Sequence, residues 1–75
     1  MHFNIFLDLK GKSCPVPLML TKKELRKMEI GMTIKIIFDD KNTKNDLERF
    51  CSKNELSLHY IESINSPYIV LIKKY

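Results

Sequence analysis

Apolar residues recur with period two in four stretches of this chain and at helical spacing in two others, and the order in which the period changes leaves few folds open. Phe3, Ile5, Leu7 and Leu9 alternate with Asn4, Phe6 and Asp8 ahead of Gly11, which predicts a first strand. Thr33 to Phe38 predicts a second, with Ile34, Ile36 and Phe38 on one face and Asp39-Asp40 at its exit. Leu56, Leu58 and Tyr60 predict a third and Tyr68, Val70 and Ile72 a fourth, joined by a turn at Asn65-Ser66-Pro67. Between the first two strands, Leu18, Thr21, Leu25 and Met28 share one face of a helix predicted from Pro15 to about Met28, with Gly31 beyond its end. Thr43 and Asp46 form a weak capping box for a second helix that carries Leu47, Phe50 and Cys51 on one face and runs to about Asn54.

The order βαβαββ predicts an α/β (α+β) two-layer sandwich in which a four-stranded mixed sheet has two helices on one face. A right-handed crossover makes the first two strands parallel if they pair, and the last two form an antiparallel hairpin. The uncovered face then carries Phe6, Lys35, Ile37, His59, Ile61, Ile69 and Leu71, more apolar than a fully wetted sheet needs. With no linker-like stretch or internal repeat, residues 1–75 read as one domain. Its length leaves no room for a deep coenzyme pocket, so no cofactor is expected.

Cys14 and Cys51 are the two cysteines, too few for a zinc spacing or the disulfide framework of a small secreted domain, and a reducing cytoplasm fits them best. His2 and His59 have no ligand-spaced Cys, Asp or Glu, so no metal site is expected. The N-terminal segment lacks a basic stretch followed by a long apolar run, and no later run is long enough to span a bilayer. The net charge of +4 is compatible with nucleic acid or with an acidic protein partner, but it is spread along the chain without an aromatic-interleaved basic stripe, so a plain solvated surface is expected over direct nucleic-acid binding.

The segment Cys14-Pro15-Val16-Pro17 opens the first helix. Pro15 disfavours helical backbone at Cys14 and suits the first helical position, which predicts Cys14 as the N-cap and Pro17 as the third helical residue. A thiol on such a corner is placed to react. The Val16 amide is then its natural hydrogen-bond donor, and the helix N-terminus with Lys10 and Lys12 lowers its pKa modestly from an ordinary value of about 8.5. No base is visible in the sequence beside it. Cys51, on the stripe with Leu47 and Phe50, reads as a packed core thiol. Asp39-Asp40 reads as a turn cap, and Lys22 and Lys23 equally as a docking patch for an acidic partner or as a plain solvated face.

With those residues in place, the chain resembles the TusA/SirA-like sulfur carrier family, small βαβαββ proteins marked by Cys-Pro-X-Pro at the start of the first helix. Leu7-Asp8-Leu9, Gly11, Lys22-Lys23, Gly31, Asp39-Asp40 and Asp46 also match the family's pattern, from Leu7 to Lys73. Phe50-Cys51 is similar to the tRNA-thiolation branch. Lys12-Ser13 stands where many members have leucine and arginine, and Lys41 where proline usually follows the paired aspartates. The resemblance implies that Cys14 takes a sulfane sulfur from a cysteine desulfurase or rhodanese-like donor, holds it as a persulfide, and yields it to an acceptor protein for tRNA thiolation or sulfur-containing cofactor synthesis. Gly11, Pro15, Val16 and Pro17 then support the helix start, and Lys10, Lys12, Lys22 and Lys23 are docking candidates. Two other readings use the same scaffold: a regulatory binding module with Cys14 merely structural, and a thiol redox switch.

Overall fold

In the computed structural model, which describes residues 3–61 and 67–74, the predicted element order is found. The elements are β1 (Ile5–Asp8), α1 (Val16–Lys27), β2 (Thr33–Phe38), α2 (Lys41–Lys53), β3 (Ser57–Tyr60) and β4 (Tyr68–Lys73). β1 is shorter than its alternation predicts, since Phe3 and Leu9 flank it; the Leu9 amide still donates to the Ile37 carbonyl at 2.7 Å. α2 begins two residues before Thr43, because Asp40 rather than Thr43 takes the N-cap. Of the turn expected at Asn65-Ser66-Pro67, the first two residues lie outside the described residues, as does His2.

The sheet runs β1-β2-β4-β3, with β1 parallel to β2 and β4 antiparallel to both its neighbours. Register aligns the inward residues into rows. One row is Ile5, Ile34, Ile72 and Leu58; the next is Leu7, Ile36, Val70 and Tyr60; Phe38 opposite Tyr68 begins a third. Leu25 and Met28 from the first helical segment and Leu47 and Cys51 from α2 join the same cluster, so both helices cover one face. Each fully buried aliphatic there stabilises the fold by about 1.5–3 kcal/mol, the scale that a domain this small depends on.

Polar groups inside this layer are matched locally. Thr21, fully buried on the helical stripe, donates its hydroxyl to the Pro17 carbonyl at 2.8 Å. The ammonium of Lys74 donates to the carbonyls of Leu25 and Met28 at 2.7 and 2.8 Å, satisfying the end of α1 with a cation where the helix dipole favours one. α2 ends in a Schellman arrangement, the Leu56 amide reaching the Cys51 carbonyl at 2.8 Å across Glu55 at φ 56°. On the uncovered face Phe6 is exposed and Leu71 buried, and Lys35 lies over the rings of Phe3 and Phe6 at 5.2 and 6.0 Å. Among the described residues no helix is long and apolar enough to cross a membrane.

Candidate functional site

Because β1 and β2 are parallel neighbours, their carboxyl ends emerge at one edge of the sheet, the place where α/β folds put their sites. The loop after β1 therefore meets the residues after β2. Gly11, at φ 80°, turns its amide onto both carboxylate oxygens of Asp39 at 3.1 Å. Three residues on, the Cys14 amide donates to Asp40 Oδ2 at 3.0 Å, and the same oxygen accepts the hydroxyl of buried Thr43 at 3.0 Å. Asp39 and Asp40 thus pin the cysteine loop to the start of α2, a larger role than the turn cap read from sequence.

Two expectations about Cys14 are corrected here. The N-cap of α1 is Pro15, with Val16 and Pro17 as the first two helical residues, so Cys14 lies one residue outside the helix. Its amide is already committed to Asp40, and the Val16 amide donates to the Ser13 carbonyl at 3.0 Å instead of meeting the thiol. The cysteine is exposed, as a corner position requires. Its thiol donates to Asp46 Oδ2 at 3.0 Å, across to the second turn of α2.

That contact reverses the expected pKa. The hydrogen bond to Asp46 comes first, slight desolvation second, and the negative charges of Asp46 and Asp40 after them; together they push the Cys14 thiol above its ordinary value. A helix dipole acting from beyond Pro15 does not outweigh two carboxylates this close. The carboxylate of Asp46, which the sequence does not place beside Cys14, is thus within hydrogen-bond reach of its thiol and opposes its ionisation. Cys51 behaves as predicted: buried in the core, with burial raising its pKa to about 11.

The other candidates separate. Gly11, Cys14, Pro15, Val16 and Pro17 form one continuous corner, with Pro17 buried beneath it and Val16 exposed on it. Lys10 and Lys12 are exposed on the loop. Lys22 is half-buried, its ammonium 5.2 Å from the centre of the Phe50 ring, and it lines a cavity of about 320 Å³ together with Asp46. Lys23 is exposed on α1 and does not line that cavity, so the predicted pair divides. Among the described residues no group of three or more His, Cys, Asp and Glu side chains is arranged to hold a metal ion.

Asp39 and Asp40, read from the sequence as a turn cap, and Asp46, read as part of a capping box, instead hold the cysteine loop and its thiol. The signal was available for the first two: parallel β1 and β2 must bring Gly11 and Asp39 to the same edge. Asp40 also gives a testable pH dependence. Burial opposes its ionisation, but hydrogen bonds from the Cys14 amide and the Thr43 hydroxyl prevail and hold its carboxyl below the ordinary range. The folded value lies below the unfolded one, so this anchor is fully present above about pH 4 and is lost as pH falls through the lowered value. In a ¹⁵N-edited NMR titration the Cys14 amide is expected to keep its shift down to about pH 4 and move only below it. Asp40→Ala is expected to cost about 1–2 kcal/mol at pH 7, since it strands the buried Thr43 hydroxyl.

The comparisons with known proteins agree with this architecture. The family model of sulfurtransferase TusA matches residues 5–74. Among solved structures, the crystal structure of a SirA-like protein from Desulfitobacterium hafniense is similar, with a TM-score of 0.80 and 25% sequence identity over 93% of this chain and 96% of that one.

Proposed function

The chain belongs to the sulfurtransferase TusA family, and on that footing we propose that it carries sulfane sulfur as a persulfide on Cys14 between a donor and an acceptor protein. The observation that carries this reading is an exposed thiol fixed at a corner by Asp40 through its own amide and held by Asp46 through its proton. The Cys14 thiolate attacks the outer sulfur of a donor persulfide, forming its own S–S bond as the donor's breaks and the donor leaves as a thiolate. An acceptor thiolate then attacks the sulfur that Cys14 holds, the Cys14 S–S bond breaks, and the Cys14 thiolate takes up a proton again. No net oxidation occurs in either step, so no cofactor is called for.

A cysteine desulfurase or rhodanese-like protein is the proposed donor, and an acceptor serving tRNA thiolation or sulfur-containing cofactor synthesis the proposed destination. A reducing cytoplasm suits a protein whose two cysteines are both free. Burial of Cys51 weighs against a redox switch, since a resolving thiol must meet Cys14 at the surface. Incubation with a cysteine desulfurase and ³⁵S-labelled cysteine, followed by peptide mapping without reductant, tests the assignment. The label is expected on the peptide that contains Cys14; label confined to the Cys51 peptide, or none, overturns it.

A further inference from the structure

The cavity beside Asp46 continues between α1 and α2 into a second of about 390 Å³, the two sharing Lys22, Phe50 and Asn54. Along this groove lie Lys22, Arg26, Arg49, Lys53 and Lys74, while Asp46, at the end nearest Cys14, is the one carboxylate among the described lining residues. Lys74 is occupied by the carbonyls that end α1. The other four form no ion pair among the described residues, whereas Lys27 pairs with Glu24 and Lys44 with Glu48 elsewhere on the helices. Positive charge is concentrated in this concavity, where the four line one space with a single described carboxylate. Its lining is not wholly polar, for Leu25, Phe50 and Leu56 contribute apolar surface.

From this charge complementarity and shape we infer that the groove between α1 and α2 seats an acidic polypeptide segment of the partner, with carboxylates on the four cations and an apolar side chain against Leu25 and Leu56. The inference rests on the carrier reading in that it supplies the partner, and it explains how a partner is aligned. A segment lying in the groove ends at Asp46, in hydrogen-bond contact with the thiol. RNA phosphates would answer the same cations, but the Lys22 ammonium sits 5.2 Å over the Phe50 ring and takes the face on which a base would stack, which leaves RNA the charge contacts alone. Carboxylates answer the cations without needing that face. Asp46 then acts as a stop, repelling the acidic segment from the sulfur and leaving the thiol clear.

A fluorescein-labelled twelve-residue peptide of Glu and Asp with a central Leu-Phe pair is the probe, read by anisotropy and by ¹⁵N-edited NMR. Saturable binding is expected, with shifts concentrated on the amides of residues 22–26 and 49–56 and affinity falling between 50 and 500 mM salt, on the order of a Debye length's contraction from 14 to 4 Å. Arg26→Glu with Arg49→Glu is expected to weaken binding at least about tenfold, roughly the 1.4 kcal/mol that one such factor represents. The charge-matched Lys27→Glu with Lys41→Glu, outside the lining, is expected to weaken it far less. Equal loss in both variants reduces the effect to net charge and overturns the inference. So do shifts confined to the uncovered sheet face, or an oligouridine of equal length that binds more tightly than the peptide. Loading of the wild type with sodium polysulfide, which needs no docking, reports on the carrier reading separately: peptide binding without a Cys14 persulfide keeps the groove and removes the carrier.

Discussion

A Cys14→Ser protein incubated with a cysteine desulfurase and cysteine is expected to gain no sulfane sulfur, where the wild type gains one adduct of about 32 Da. Serine is the informative replacement because it keeps the surroundings of the site. Its hydroxyl can still donate to Asp46, and its amide still reaches Asp40, so the loop stays pinned through the contacts that hold Cys14. What disappears is a polarisable nucleophile that ionises within reach of neutral pH. Loss of loading by this variant therefore reports on the sulfur atom and not on a collapsed corner. Cys51→Ala supplies the counterpart and is expected to load as the wild type does, because Cys51 is sealed in the core with its thiol held neutral. Intact mass measured without reductant decides both. An adduct on the Cys14→Ser protein of the same occupancy as on the wild type removes Cys14 from the proposed role.

The periods of the strands were legible because they are set by burial, which sequence encodes directly. Ile34, Ile36 and Phe38 alternate with half-buried residues, and all three prove fully buried. Parallel pairing of the first two strands followed from chain connectivity and chirality, and the register of Ile5 with Ile34 bears it out. Insertion of β4 between β2 and β3 was not legible. Either hairpin strand presents an apolar alternation, and only the continuous buried run Val70, Leu71 and Ile72 marks the one flanked on both sides.

At the site the division is different. Position of the thiol at the mouth of α1 was readable from two prolines, but the helix boundary was off by one residue, and one residue separates an N-cap side chain from a loop side chain. The sign of the pKa was lost at the same step. The sequence reading counted the weak, diffuse potential of the helix end with the charges of Lys10 and Lys12; the folded chain brings in two carboxylates separated from Cys14 by more than twenty residues. Long-range electrostatics of this kind depends on how α2 begins. With Thr43 as the cap, Asp46 falls in the first turn of α2. With Asp40 as the cap it moves to the second turn and faces the cysteine.

Asp46 therefore restrains Cys14 in the isolated protein, and Asp46→Asn makes that restraint measurable. Asparagine is nearly isosteric and keeps an oxygen to accept from the thiol, but it removes the negative charge and adds N–H donors that favour the thiolate. The thiol pKa is expected to fall, while Asp40 continues to oppose ionisation weakly. For a drop of about one pH unit the thiolate fraction at pH 7.5 rises about tenfold, and the intrinsic nucleophilicity of the less basic thiolate falls about threefold at a Brønsted slope of about 0.4–0.5. The net expectation is alkylation of Cys14 by iodoacetamide about threefold faster than in the wild type at pH 7.5. Above both pKa values each thiol is ionised, the fraction no longer differs, and the variant is expected to react about threefold more slowly. The two pH–rate profiles must therefore cross. A general base withdrawn from the thiol would instead slow the variant at neutral pH, and parallel profiles without a crossing would show that the contact at 3.0 Å does not govern ionisation.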